Sequence, residues 1–389
     1  MNEKKYVFLD WSVSGINFLI VQVIYRYSSG MDSLGEAGWL LNLLTTSLFV
    51  SAAAQYLMMF RSRGIWETYF SFMPVLAVEI AFLSTQVPLD LWVLLSVSLI
   101  ANLLFACYRG SLMSAGKLFT AAKWNLTEQV CRFCFLYGLI LGGTIPGNAL
   151  FLSTASAYII MGSVVTVLLF SSGIRPGFSM TGINYELFRD TFWFSFIHAG
   201  IYLATNVDVL ALKHFPERNQ FVLLKPWGQI LFTALFPLVN VYLTKLKYNK
   251  KRESRITIFY IIGFSSVYSA VMLLFGRSIN WFLFHKELSS TGLLLAVILE
   301  HFFLIFMVIK LYNILLMKGS RWHAAVLTAS VIIPILLIPC LARGVAVYAG
   351  YVSWYIILFV ANYIILASPE GGGKNIPDPI PRKILREQE

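Results

Sequence analysis

The stretch TGLLLAVILEHFFLIFMVIKLYNILL, residues 291–316, decides what kind of protein this is. It is apolar all round, and its charge and histidine content is confined to Glu300, His301 and Lys310. A helix needs about 20 mostly apolar residues to cross the hydrocarbon of a bilayer, and this run supplies them. Similar runs fill the rest of the chain. They cover roughly 7–25, 38–60, 66–86, 90–108, 119–143, 148–170, 188–212, 219–245, 256–276, 323–343 and 346–367, so about twelve transmembrane helices are expected. Strands of a barrel would read as segments of about ten residues with alternating polarity. These runs are longer and uniformly apolar.

The composition agrees. The chain has 389 residues, of which 58% are hydrophobic and only 13% charged, and its mean hydropathy is +0.72. A soluble domain is about a quarter charged, so too few charges remain to cover a water-facing surface. Lys and Arg in the loops set orientation. With the N-terminus inside, 21 of the 30 lysines and arginines fall on inside segments, six outside and three (Arg132, Lys225, Lys310) within spans. The alternation predicts N- and C-termini in the cytoplasm of a bacterium and residence in its inner membrane. The net charge of +11 is then topogenic charge that also attracts anionic lipid headgroups. Membrane lipids are expected partners, and nucleic acid is not.

Loops are short nearly everywhere, leaving no room for a folded extramembrane domain. Residues 171–187, with Gly and Pro, divide the chain into an N-terminal lobe (1–170) and a C-terminal lobe (188–367), each with six expected spans. Residues 368–389 read as a disordered cytoplasmic tail, rich in Gly, Pro and charge. The lobes are weakly alike in pattern, as internal repeats of transporters are. No cleavable signal peptide is evident, because the first span carries Asp10, Ser12, Ser14, Asn17 and Gln22. Cys131 and Cys134 form a C-x-x-C only on paper. Inside a span such thiols act as small apolar groups, so neither a disulfide nor a metal is expected.

Charges inside a membrane are costly and usually face a bundle interior or a water-filled cavity. The alternative is a structural bond that fixes helix packing. Lys225, Gln229, Thr233 and Asn240 recur at spacings of 4, 4 and 7 on one helical face. That stripe reads either as a cavity wall or as packing with Lys225 snorkelling. Pro226 and Pro237 interrupt the same helix, so bends are expected there. Asp10, Ser14 and Asn17 form a similar stripe in the first span. His198, Tyr202 and Asn206 form one in the seventh, with Asp208 near its outer edge. His198 could titrate near neutral pH or be a satisfied structural residue. Glu128 and Arg132 are spaced for an i, i+4 ion pair, or for a site that takes an anionic group. Glu300 and His301 are adjacent, so only one can face a given cavity. Glu79 stands alone.

No phosphate-binding loop, zinc motif or nucleophile elbow occurs, so an enzyme is not expected and no cofactor or metal is implied. A membrane polymerase or transferase would also be expected to carry a large outside loop with catalytic residues.

The segment FSFIHAGIYLATNVDVLALKHFPERNQFVLLKPWGQILFTALFPLVNVYLTKLK, residues 194–247, resembles the seventh and eighth helices of polysaccharide and O-antigen flippases of the MOP superfamily, which are MATE-like. Asn206 and Asp208 fill an N-x-D helix end. Ala101 to Gly143, with Arg109-Gly110, Glu128 and Arg132, resembles the fourth and fifth helices of that family, and residues 35–38 its first turn. The resemblance implies an all-α membrane protein with two six-helix lobes around a central cavity. It further implies alternating access that flips an undecaprenyl-pyrophosphate-linked oligosaccharide to the outer leaflet for surface-polysaccharide synthesis. Polymerase and chain-length proteins of the same pathway are implied partners, and a monomer suffices. On this reading Lys225, Gln229, Asn240, Arg132, Glu128 and Asn17 line the substrate cavity, with Lys225 and Arg132 on the pyrophosphate. Asp208, His198 and Asp10 are candidates for ion coupling. A carrier of another lipid or a drug, or a polymerase or transferase subunit, is the alternative.

Overall fold

The computed structural model describes residues 3–28, 30–61, 63–174, 185–211, 218–247, 251–285, 287 and 291–316, with isolated positions between 325 and 360. Eleven helices are described: α1 (Glu3–Tyr27), α2 (Met31–Thr46), α3 (Phe49–Arg61), α4 (Ile65–Leu83), α5 (Leu89–Ser114), α6 (Leu118–Leu141), α7 (Pro146–Ser171), α8 (Tyr185–Ala211), α9 (Arg218–Lys247), α10 (Lys251–Phe284) and α11 (Thr291–Leu316). The described residues contain no strand. Every expected span up to residue 316 falls on these helices. The expected spans 323–343 and 346–367 lie largely outside the described residues, and the tail 368–389 wholly so. Eight helical stretches among the described residues are long and apolar enough to cross a bilayer. The helices α6 and α8 are not among them; both carry internal charges such as Arg132 and Asp190. The protein is a multi-pass, all-helical membrane protein.

One expected span is broken. Residues 38–60 divide between α2 and α3 at Ser47, with neither Gly nor Pro at the break. Thr45, Thr46 and Ser47 instead donate back to the carbonyls of Leu41, Asn42 and Leu44, each at 2.8 Å. Such back-bonding competes with the helical ladder and bends helices.

The tightest packing in the first half runs along α5, which lies between α3 and α7. Small residues let these backbones approach. A Cβ on Gly110 would lie 2.5 Å from the Gln55 carbonyl oxygen of α3, and one on Gly162 of α7 would lie 2.7 Å from that of Ala101 on α5. In the second half, α9 packs against α11 and α10. Between the halves, α8 lies on α3 and α2, and α1 lies on α9. The outer helix faces carry large exposed apolar residues, among them Phe259, Val267, Leu274 and Phe282 of α10. Water would penalise this surface, and lipid does not.

Candidate functional site: a polar cavity between the halves

A cavity of about 370 Å³ lies where α1, α3, α5, α6, α8 and α9 converge, within the rough 300–1,000 Å³ range of ligand sites. Its wall includes Asp10, Asn17, Glu128, Arg132, Gln229 and Asn240 from the expected set. Helical periodicity accounts for this grouping. Gln229, Thr233 and Asn240 share one face of α9, and Asp10, Ser14 and Asn17 one face of α1. Tyr202 and Asn206 of α8 also line the wall. Asn206 is tied to Gln229, whose Nε2 donates to Asn206 Oδ1 and to Asn42 Oδ1, both at 3.1 Å.

Other expected site residues lie off this wall. Lys225 is enclosed, with only 1% of its surface exposed, and its neighbour Pro226 is the residue that lines the cavity. His198 is fully buried. Its Nδ1 lies 2.8 Å from the Phe194 carbonyl and its Nε2 3.1 Å from the Tyr312 hydroxyl. Asp208 lies on the last turns of α8, and its side chain is outside the described set. Of the adjacent pair Glu300 and His301, His301 reaches the cavity, its ring packed on Gly228 of α9 and its Nδ1 2.9 Å from the Val297 carbonyl.

Two expectations are corrected. First, Glu128 does not pair with Arg132. Its Oε2 lies 3.5 Å from Arg109 Nη1, and Gln129 Nε2 donates to its Oε1 at 2.9 Å. Second, Arg109 is no loop charge. The helix α5 continues past the expected end near residue 108 to Ser114, which places Arg109 inside the cavity wall. There it donates to Asn125 Oδ1 and lies 4.7 Å above the Phe105 ring. Arg132 is consequently left over. It is 7% exposed, lines the cavity, and makes no hydrogen bond or ion pair among the described residues.

A hydrogen-bonded string crosses the cavity. Asn125 Nδ2 donates to Asp10 Oδ1 and Tyr6 Oη to Asp10 Oδ2, both at 3.3 Å. Asn240 Nδ2 donates to Tyr6 Oη at 3.0 Å, and Tyr56 Oη donates to Asn240 Oδ1 at 2.7 Å. The sequence reading missed Tyr6, Tyr56 and Asn125. Tyrosines carry no charge signal in an apolar run, and Asn125, about two turns into α6, is a neutral amide with no charge to mark it.

The wall therefore offers one unpaired cation, two carboxylates that already hold donors, and a run of neutral amides. Among the described residues no cluster of His, Cys, Asp or Glu could hold a metal ion. Cys107, Cys131 and Cys134 are free thiols.

No protein-family model matches the chain, and no curated relative matches it by sequence. Solved structures do match in fold. A eukaryotic MATE transporter superposes with a TM-score of 0.60 at 12% identity, covering 95% of this chain and 94% of its own. The outward-facing conformation of a multidrug resistance MATE family transporter of the MOP superfamily gives 0.62 at 11% identity, covering 93% of each chain. The inward-facing conformation of such a transporter gives 0.56 at 11%, covering 93% and 98%. With sequence identity this low the likeness is one of architecture, and the fold of this chain is that of the MATE transporters.

Proposed function

We propose that the chain is a transporter that works by alternating access and carries an amphiphile with an anionic head group. The candidate substrate is an undecaprenyl-pyrophosphate-linked oligosaccharide, moved from the cytoplasmic to the outer leaflet of a bacterial inner membrane. The observation that carries this reading is Arg132: a buried cation on a cavity wall, with its neighbouring carboxylate already held by Arg109. An unpaired buried charge is costly, and a phosphate oxygen would satisfy it through charge-assisted hydrogen bonds in a fork geometry. The amides of Asn17, Asn206, Gln229 and Asn240 suit sugar hydroxyls. Lys225 would add a second cation when α9 moves. Asp10, which holds Asn125 and Tyr6, is the cavity's candidate for ion coupling, with Asp208 and His198 behind it. One chain encloses the cavity, so a monomer suffices, and polymerase and chain-length proteins of the same pathway are the expected partners.

The test is to follow lipid-linked oligosaccharides in host cells lacking the protein. Complete repeat units should accumulate on the cytoplasmic leaflet, and a gene encoding Arg132→Ala should fail to clear them. If single units reach the outer leaflet but stay unpolymerised, the protein acts in polymerisation and the reading fails. A second reading is a carrier of cationic drugs. It is favoured by the carboxylates Asp10 and Glu128 on the same wall, and competition between drug and lipid-linked sugar separates the two.

A further inference from the structure

Two prolines interrupt α9, Pro226 and Pro237. Each lacks the N–H that would bond the carbonyl four residues earlier. The freed carbonyls are therefore those of Val222 and Thr233. They lie eleven residues apart, about three helical turns, and so fall on nearly the same face. In hydrocarbon an unsatisfied carbonyl costs several kcal/mol, so each needs a partner.

Both partners come from α1. Tyr25 Oη donates to Val222 O, and Ser14 Oγ, which lies 3.3 Å from the Asp10 carbonyl of its own helix, is nearer to Thr233 O, at 3.2 Å. Tyr25 and Ser14 are themselves eleven residues apart, running in the opposite direction. Beyond the Ser14 end the two helices stay paired. Trp11 Nε1 donates to the Ala234 carbonyl at 2.8 Å, and Asn240 reaches Tyr6 at 3.0 Å. From Tyr25 to Tyr6 the pairing stays antiparallel and within two residues of one register. The two helices belong to opposite halves of the chain, and both line the cavity, at Ser14 and Thr233 among other residues.

We infer that α1 and α9 form a register lock: the donors Tyr25 and Ser14 hold the two proline-freed carbonyls as one unit, and the lock must open before the halves can part along this seam. The equal spacing on the two helices makes the bonds cooperative. A slide of α1 along α9 that breaks one takes the other out of reach. The prolines thus give the seam acceptors that an uninterrupted helix would keep for itself. The role in gating rests on the alternating-access reading, but the lock itself is testable without transport.

The experiment is amide hydrogen exchange of residues 219–245 in the full-length protein in lipid nanodiscs. Ser14→Ala should raise exchange about threefold, the scale of one interhelical bond in a membrane, at the Pro226 end as well as at the Pro237 end. In a Pro237→Ala background, where residue 237 regains its N–H and reclaims the Thr233 carbonyl, Ser14→Ala should change nothing. Tyr25→Phe with Pro226→Ala forms an independent second cycle, should one variant misfold. An effect that persists in the Pro237→Ala background overturns the carbonyl basis. An effect confined to one end overturns the unit. Substrate flux measured on the same variants is a separate readout, so a failed transporter reading leaves the exchange result standing.

Discussion

At the residue scale, the electrostatic arrangement of the cavity turns on which arginine Glu128 chooses. Both guanidiniums act on Glu128, but only Arg109 lies within ion-pair distance. Two removals should then differ. Arg109→Gln strips a partner from a nearly buried carboxylate and should cost about 3 kcal/mol or more. Arg132→Gln removes a charge outside ion-pair distance of any carboxylate among the described residues and should cost little or stabilise the protein, while slowing anion transport about tenfold or more. Thermal midpoints in detergent measure the first pair of outcomes. Equal losses would mean that Glu128 is shared between the two. The sequence could group Glu128 with Arg132 and Gln229 with Asn240 on helical faces, because a 3.6-residue period needs no tertiary knowledge. It could not pair Glu128 with Arg109. They come from different helices, and apolarity alone ended the expected span one residue short of Arg109.

At the element scale, glycines divide by what their absent side chains would meet. Gly162→Ala drives a methyl toward the backbone of Ala101 and should destabilise by about 1–3 kcal/mol, the scale of overpacking. Gly138→Ala meets nothing within 4 Å and should be neutral or stabilise α6 by up to about 1 kcal/mol. The same thermal measurement checks both, and a loss for Gly138→Ala would contradict the packing account. Hydropathy revealed that residues 38–60 span the membrane but not that they break at Ser47. The break comes from three short hydroxyl side chains turning back on their own ladder, which apolarity does not register. The prolines of α9 were legible in the sequence as interruptions of its hydrogen-bond ladder. Their satisfaction by α1 was not, because the donors lie about two hundred residues away.

At the scale of the molecule, the halves meet along two seams: α1 on α9, and α2 with α3 on α8. The second seam ends in charges. Arg61 Nε lies 3.5 Å from Asp190 Oδ2, and Arg63 Nη2 lies 3.7 Å from Glu186 Oε2. If the halves rock against each other, this end must open in one of the two states. A reducible cross-link between cysteines at positions 61 and 190, in a background without the native cysteines, should stop transport, and reduction should restore it. Transport that continues through the cross-link would rule out motion at this seam.

The most direct test is flux in vesicles. The protein is reconstituted with a head-group-labelled undecaprenyl-pyrophosphate oligosaccharide, and the label exposed to an impermeant quencher is followed in time. The account predicts rapid equilibration across the bilayer with the wild-type chain. It predicts a fall of about tenfold or more with Arg132→Gln, the loss expected from one charge-assisted contact. Equilibration no faster than in protein-free vesicles, or an Arg132→Gln variant as fast as wild type, would contradict it.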